Sequence, residues 1–134
     1  MGLLEQLGTT ENADKGVRMV LEDVDGDPVM EGKKEVAFIV MGNDSKEYQK
    51  VLKQISADVL KEAMSKKKKK RDDDKVNKDA VARCVIKWEN VIVDGKELEC
   101  NYKNIMMLFD AAPIIYEQTR LFMGDRNNYF RRAK

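Results

Sequence analysis

The feature that most constrains the fold is a stripe of apolar residues at helical spacing near the middle of the chain. Its members recur every three or four positions and so share one face of an α-helix; they are Tyr48, Val51, Leu52, Ile55, Val59 and Ala63. Asp44 precedes the stripe and Glu47 follows three positions later, a pattern typical of a helix N-cap. The sequence therefore predicts an amphipathic helix of about 20 residues, ~30 Å long, with Tyr48, Leu52 and Ile55 in the core.

The segment before this helix has the pattern of β-strands. Side chains of alternating character extend from Val17 to Leu21, and the Asp-Gly pair that begins at Asp25 predicts a hairpin turn. Pro28 restricts the returning strand to an edge position. Residues 34–42 are dense in β-branched and aromatic side chains and predict a third strand. A small antiparallel sheet is expected.

The second half of the chain predicts three further helices. One extends from about Asp74 to Trp88, a second begins after the N-cap residue Asn101, and a third begins at Pro113, whose missing N–H suits a first helical position. Residues 89–98 predict an extended connection. The expected fold class is α+β, mainly α, with about four helices and a small N-terminal antiparallel hairpin or sheet. The core of these helices is expected to contain Trp88, Leu108, Phe109, Ile115 and Phe122.

The length of 134 residues predicts one domain. Residues 1–16, rich in glycine and polar side chains, predict a loosely held arm with at most one helical turn. The domain itself spans residues 17–130 and contains a charged linker at 65–74, where no apolar residue occurs. Residues 131–134 form a basic tail.

The amino-acid composition excludes several classes of enzyme. The chain has no histidine, which removes Ser-His-Asp and Cys-His catalysis and histidine-containing zinc sites. Its two cysteines are too few for a thiolate zinc site or a disulfide framework, and reduced thiols are expected. Cys84 is predicted to lie in the core, and Cys100 has no neighbouring base to activate it. Since no glycine-rich phosphate loop occurs either, no cofactor or metal is expected.

The hydropathy of the sequence indicates where the protein is expected to reside. The longest purely apolar run has six residues, 36–41, far short of the ~20 that a membrane helix needs. The first ten residues lack the basic start and apolar stretch of a signal peptide. A soluble protein that stays in the compartment of its synthesis is therefore expected.

Two features suit association between copies of the chain. Residues 1–47 carry a net charge of −6, residues 48–87 carry +7 and residues 88–134 are neutral, and opposite potentials orient head-to-tail encounter. The strands between Val17 and Met41 include edge strands, whose unpaired backbone groups can pair with a second subunit. The alternatives are that the charges solvate helix faces and that the sheet only covers the helices.

Two charged motifs have competing interpretations. The acidic turn at Asp23, Asp25 and Asp27 does not fit a calcium loop, because proline and lysine stand where the loop needs its glycine and its final glutamate. A carboxylate-based, metal-dependent enzyme is the weakest hypothesis.

The run of cations that begins at Lys66 and ends at Arg71 makes a nucleic-acid-binding regulator the alternative function. Three aspartates follow the run and no aromatic residue lies within it, which favours a solvated linker.

Methionines and aromatic residues near the C-terminus are the candidates for contact with other proteins. Methionine is flexible and polarisable, which suits binding surfaces, although filling gaps in a core is its commoner use. The two aromatic residues that precede Arg131 and Arg132 are expected to be exposed. The candidate partner-binding residues are Met106, Met107, Met123, Tyr129 and Phe130.

A series of short motifs completes the sequence pattern. After a Gly-Asn-Asp-Ser-Lys-Glu-Tyr segment at 42–48, the chain contains Trp-Glu-Asn-Val at 88–91, Asp-Gly at 94–95, Asn-Tyr-x-Asn at 101–104 and Asp-Arg-x-Asn-x-Phe at 125–130. In this order, and over residues 17–130, the sequence resembles the tail assembly chaperones of long-tailed, non-contractile bacteriophages.

The resemblance implies a non-enzymatic assembly factor of the host cell cytoplasm. Proteins of this family coat the long, aggregation-prone tape measure protein before the tail tube polymerises around it, and they recruit tail tube subunits. They are thought to self-associate into spirals or rings, and they are absent from the mature virion. The implied partners are therefore the tape measure protein, the tail tube protein and further copies of this chain, with no membrane and no nucleic acid.

Overall fold

The computed structural model describes residues 2–64 and 73–130 of the chain. Over these two stretches the protein is α+β and mainly helical, with six α-helices and a small antiparallel sheet, so the predicted class is confirmed. Two of the six helices lie before residue 16, where at most one turn was predicted. Residues 65–72 of the predicted linker and the basic tail at 131–134 lie outside the described residues.

The described residues form six α-helices, one 3₁₀ helix and seven short strands. The helices are α1 (Leu3–Leu7), α2 (Thr10–Lys15), α3 (Lys46–Met64), α4 (Asp73–Ala82), α5 (Tyr102–Ala111) and α6 (Pro113–Gly124), with a 3₁₀ helix at Arg126–Asn128. The strands are β1 (Val17–Val20), β2 (Met30–Glu31), β3 (Lys34–Glu35), β4 (Ala37–Val40), β5 (Val85–Glu89), β6 (Ile92–Val93) and β7 (Lys96–Glu97).

The main sheet has the antiparallel strand order β1-β4-β5. Its central strand pairs Phe38 with Met19 on one side and with Trp88 on the other. Because β4 is hydrogen-bonded along both edges, it is not available to a second subunit. The segment 17–41 was predicted to pair with a second subunit. Within the main sheet, the edge that this segment offers for such pairing is β1.

The acidic turn closes as predicted. The Asp23 carboxylate accepts hydrogen bonds from the backbone amides of Asp25 and Asp27 at 2.9 and 3.1 Å. Gly26 adopts a φ of +83°, a conformation that favours glycine. The partner of β1 differs from the prediction, since β1 takes β4 rather than the chain directly after the turn as its partner strand.

A strand replaces the end of the second predicted helix. Helix α4 ends before β5 begins at Val85, so Trp88 lies in a strand, and the predicted helix from Asp74 to Trp88 is wrong in its second half. Val85 is β-branched and pairs with Val40 of the central strand, which favours the extended backbone. The Trp88 ring packs on Phe38 with ring centroids 5.4 Å apart.

Helix α3 confirms the predicted amphipathic helix but has a different cap. The Ser45 hydroxyl oxygen accepts the hydrogen bond of the Tyr48 amide at 3.1 Å. The Asp44 carboxylate, which was predicted to cap the helix, accepts hydrogen bonds from Arg126 and Thr9 instead. A guanidinium and a hydroxyl from distant segments therefore determine the role of Asp44.

The apolar stripe of α3 reaches the core only near the start of the helix. Val51 is buried, Tyr48 packs against the core and Ile55 is half-buried. Leu52 is 37% exposed, so its predicted place in the core is wrong. A 19-residue helix extends ~28 Å, and beyond its first turns the described chain leaves much of it uncovered.

Helices α5 and α6 form as predicted. The Asn101 side chain accepts the Asn104 amide at 2.9 Å, and Pro113 occupies the start of α6. Phe109 is fully buried and packs against Tyr116 with ring centroids 5.5 Å apart. The other predicted core residues of this half are partly buried and pack against the same core; they are Trp88, Leu108, Ile115 and Phe122.

The predicted loosely held arm is packed against the domain from residue 9 onward. The Thr9 hydroxyl donates to the Asp44 carboxylate at 2.6 Å, and the Asn12 side-chain amide donates to the Phe130 carbonyl at 3.0 Å. Ala13 is fully buried. The prediction failed here because polar side chains find partners far away in the sequence. By contrast, α1 contains no buried residue.

Candidate functional site

A groove along the outer side of α5 brings two of the candidate methionines together. Met106 and Met107 lie here beside a tyrosine ring and the charged ends of two lysines and one aspartate. The groove has a volume of about 810 Å³. We call it the methionine groove, and its lining residues are Lys75, Tyr102, Lys103, Met106, Met107, Asp110 and Ala111.

Both ends of helix α5 are joined to α4 beside this groove, through the adjacent α4 residues Lys78 and Asp79. The hydroxyl of Tyr102, at the start of α5, donates to the Asp79 carboxylate near the end of α4. Towards the other end, Lys78 Nζ lies 3.3 Å from Asp110 Oδ1 and 3.0 Å from Asp74 Oδ2. These contacts hold both ends of α5 against α4 and fix the α5 wall of the groove.

Two groups at these joints, Lys78 and Tyr102, have raised pKa values. Hydrogen bonds to Asp74 and then to Asp110 raise the pKa of Lys78, so this lysine stays positively charged. The hydrogen bond to Asp79 raises the pKa of Tyr102, so its hydroxyl stays a neutral donor. Neither Lys78 nor Tyr102 therefore changes charge near neutral pH.

Sequence reasoning did not select Tyr102, Lys75 or Lys103 as site residues. A signal for Tyr102 and Lys103 is present in the spacing of α5, because each stands four positions before a candidate methionine and so shares its side of the helix. Lys75 belongs to α4, and only the packing of α4 against α5 brings it to the groove.

Two of the candidate partner-binding residues lie inside the protein. Met123 and Tyr129 are each 2% exposed, so the predicted exposure of Tyr129 is wrong and Met123 is a core residue. The Tyr129 hydroxyl donates to the Val40 carbonyl at 3.2 Å, and its ring meets Phe122 edge-on with centroids 5.7 Å apart. The 3₁₀ helix turns the C-terminal segment back onto the sheet, which buries the tyrosine.

Other apolar side chains stand outside the methionine groove. The last candidate, Phe130, is half-buried at the end of the described chain. On α1 the exposed residues are Leu3, Leu4 and Leu7, and on α3 a surface that we call the α3 outer face consists of Val59, Leu60 and Met64. Clusters of exposed apolar residues on a folded protein mark surfaces for interaction.

Neither a cluster of metal ligands nor an activated thiol occurs among the described residues. Over residues 2–64 and 73–130 no group of three or more cysteine and carboxylate side chains is arranged to hold a metal. Burial raises the pKa of the Cys84 thiol to about 12 and also raises the pKa of the Cys100 thiol, so neither is an activated nucleophile. The basic run between Lys66 and Arg71 lies outside the described residues.

Comparison with protein-family models, curated proteins and solved structures finds no match to this chain. Within the described stretches, no helix combines the length and the apolar character that a membrane crossing requires.

Proposed function

We propose that this protein is a tail assembly chaperone of a long-tailed bacteriophage, which binds and shields the tape measure protein without catalysing a reaction. The methionine groove carries the proposal, because it places adaptable apolar side chains on the surface of a chain whose motifs resemble that family. In this role the protein acts in the host cytoplasm, recruits the tail tube protein and is left out of the mature virion.

The shape of the groove suits a helical client. An amphipathic helix that lies in an apolar groove contacts it through side chains at every third or fourth position. Met107 is exposed and can adopt several rotamers, so it accepts apolar side chains of different shape, as a chaperone of a long and varied client requires; Met106 lies beside it, half-buried against the core. Lys103 adds a positive charge and Asp110 a negative one, so charged client residues of either sign meet a complementary group at the groove.

Weak contacts by single copies are compatible with this function. When linked copies bind along one long chain, their combined avidity far exceeds the affinity of each contact. Each contact stays reversible, so the growing tube can displace the copies one at a time. The opposed charges of residues 1–47 and 48–87 support such linkage between copies.

Co-expression with the tape measure protein encoded by the same genome tests the proposal. We expect an affinity-tagged tape measure protein to be soluble and to capture the wild-type chain. Met107→Glu places a charge on a side chain that is 39% exposed in the groove, and it should reduce capture about tenfold or more. Val24→Ser changes an apolar residue that is 86% exposed on the acidic turn and is the matched control, with capture unchanged.

Other results contradict the proposal. Capture that is equal for wild type and Met107→Glu would remove the groove as the client site, and an insoluble client in the presence of the wild-type chain would remove the function. Retention of the chain on nucleic acid, with an affinity that falls steeply as salt rises, would support the alternative regulator instead.

A further inference from the structure

A second pocket, with a volume of about 520 Å³, lies where the start of α3, the end of α4 and the start of α5 meet. It differs from the methionine groove in all but one of its lining residues, since only Tyr102 lines both. Its volume falls within the range of about 300–1,000 Å³ that is typical of ligand sites. We call it the Glu47 pocket, after the α3 residue whose carboxylate lines it.

The charged side chains of this pocket leave one carboxylate without a partner. Arg83 Nε lies 3.1 Å from Asp79 Oδ2, and the Tyr102 hydroxyl donates to Asp79 Oδ1, so both oxygens of Asp79 are bound. Glu47 is half-buried, and its carboxylate forms no ion pair or hydrogen bond with any described residue. The pocket therefore has two carboxylates and one guanidinium, and its surplus negative charge lies on Glu47.

The pocket also has an apolar wall. Ala82, Val85 and Ile105 line it, and all three are buried residues of the protein. Lysine and arginine side chains bury their methylene stems along apolar surface while the charged end stays in polar surroundings. A pocket that combines an apolar wall with one unpaired carboxylate fits this kind of group, and its surplus negative charge disfavours an anion.

We propose that the Glu47 pocket binds a guanidinium or primary ammonium group that is carried on an aliphatic stem. The charged end pairs with the Glu47 carboxylate, and the stem lies along Ala82, Val85 and Ile105. A carboxylate with two free oxygens accepts a guanidinium through two parallel hydrogen bonds. A free organic cation and an arginine or lysine side chain of a bound polypeptide both supply this chemistry. The site goes beyond the proposed function, because the methionine groove does not include Glu47.

Nuclear magnetic resonance of the ¹⁵N-labelled full chain tests the proposal, with n-butylguanidinium, n-butylammonium and neutral n-butanol as probes. Both cations should bind the wild type with a dissociation constant on the order of 1 mM and shift the amide signals of Ala82, Cys100 and Ile105. The neutral probe has the same stem without the charge, so it should bind at least about tenfold more weakly.

Two variants separate the Glu47 carboxylate from the overall charge of the protein. Glu47→Gln keeps the size of the side chain and removes its charge, so it should weaken the binding of both cations about tenfold or more. Asp58→Asn removes one negative charge from the same helix, outside the pocket, and is the matched control with unchanged affinity. Met107→Glu, in the methionine groove, should also bind both cations as the wild type does.

The thiol of Cys100 provides a second readout, because Cys100 lines the pocket. When n-butylguanidinium is present at about ten times its dissociation constant, only about one pocket in eleven is free. Modification of Cys100 by iodoacetamide should then slow about tenfold in the wild type, and at most about twofold in Glu47→Gln at the same concentration.

Three results would overturn the inference: equal affinity of the wild type and Glu47→Gln for the cations, binding of n-butanol as tight as that of the cations, or no saturable binding of either cation. A blocked peptide with one arginine between alanines distinguishes the two sources of the ligand. Tighter binding of the peptide than of n-butylguanidinium supports a polypeptide side chain in the pocket, and weaker binding supports a free organic cation.

Discussion

The Arg126 guanidinium binds the Asp44 carboxylate through two hydrogen bonds, with Nε 3.0 Å from Oδ2 and Nη2 3.0 Å from Oδ1. Thr9 donates to the same carboxylate at 2.6 Å. One side chain therefore connects the segment before α2, the start of α3 and the C-terminal 3₁₀ helix. Thr9 lies 35 residues before Asp44 in the sequence, and Arg126 lies 82 residues after it.

Asp44→Asn is expected to lower the stability of the fold at neutral pH, with an effect that fades in acid. Hydrogen bonds from Arg126 and then Thr9 hold the pKa of Asp44 below its usual 3.8. The carboxylate therefore contributes its full stabilisation above about pH 4, and the contribution is lost as the pH falls through the lowered pKa.

Thermal unfolding of both proteins between neutral and strongly acidic pH measures this effect. The difference in unfolding free energy should be no more than about 1 kcal/mol at neutral pH, because the pair is partly exposed, and it should shrink below about pH 4. A difference that stays constant over the whole range would show that the charge of Asp44 does not stabilise the fold.

Tyr129 is expected to stabilise the fold through both its ring and its hydroxyl. Tyr129→Phe removes the hydrogen bond to Val40 and should lower the free energy of unfolding by about 1 kcal/mol. Tyr129→Ala also empties a buried site and should cost about 3–5 kcal/mol. Urea unfolding measures both, and Val24→Ser, at a side chain 86% exposed on the acidic turn, serves as the control. Values below about 0.5 kcal/mol for Tyr129→Ala would contradict the buried position.

Neighbouring positions on α3 should respond differently to substitution. Val51→Ala removes buried methyl groups and should lower the free energy of unfolding by about 2 kcal/mol. Leu52→Ser, one residue later on a more exposed side, should change it by about 0.5 kcal/mol or less. Urea unfolding distinguishes the two, and a larger loss for Leu52→Ser would place the core face of α3 elsewhere.

The two thiols should differ in reactivity. Cys84 is fully buried, and burial raises its pKa to about 12; Cys100 is half-buried with a smaller upward shift of its pKa. Because the thiolate is the reacting form, a thiol reagent should modify Cys100 in the folded protein, faster as the pH rises, and Cys84 only after unfolding. Mass spectrometry counts the modified thiols, and modification of both in the native protein at equal rates would contradict this assignment.

Elements that depend on local contacts could be predicted from the sequence. The cap at Asn101 bonds an amide three residues away, and the turn at Asp23 is closed by amides two and four residues away. Pro113 needs no partner at all to favour the start of a helix. In each case the residues that determine the structure stand side by side in the chain.

Elements that depend on distant partners could not be predicted in this way. Val85 lies in a strand because it pairs with Val40 of the central strand, and short apolar runs fit a helix and a strand equally well. Asn12 is held by a carbonyl 118 residues away. No local pattern contains that information, so the segment before residue 16 was predicted to be loosely held.

The candidate site also combines residues that the local sequence indicates with residues whose position depends on distant partners. Met106 and Met107 were predicted to contact partners because methionine suits binding surfaces, and this stays a prediction; the structure places both in the lining of the groove. The burial of Tyr129 could not be foreseen, because it depends on Gly42, where a Cβ atom would stand 3.0 Å from the Tyr129 ring. A glycine in one segment thus admits an aromatic ring from another.

The proposed role of the methionine groove is to keep the tape measure protein from aggregating. Its most direct test is a sedimentation assay, in which the tape measure protein is diluted from denaturant into buffer that contains the wild-type chain, Met107→Glu or Val24→Ser. We predict that the client stays in the supernatant with the wild type and with Val24→Ser, and that it pellets with Met107→Glu as it does alone. A client that pellets equally in all of these samples, or stays soluble with Met107→Glu, would contradict the account.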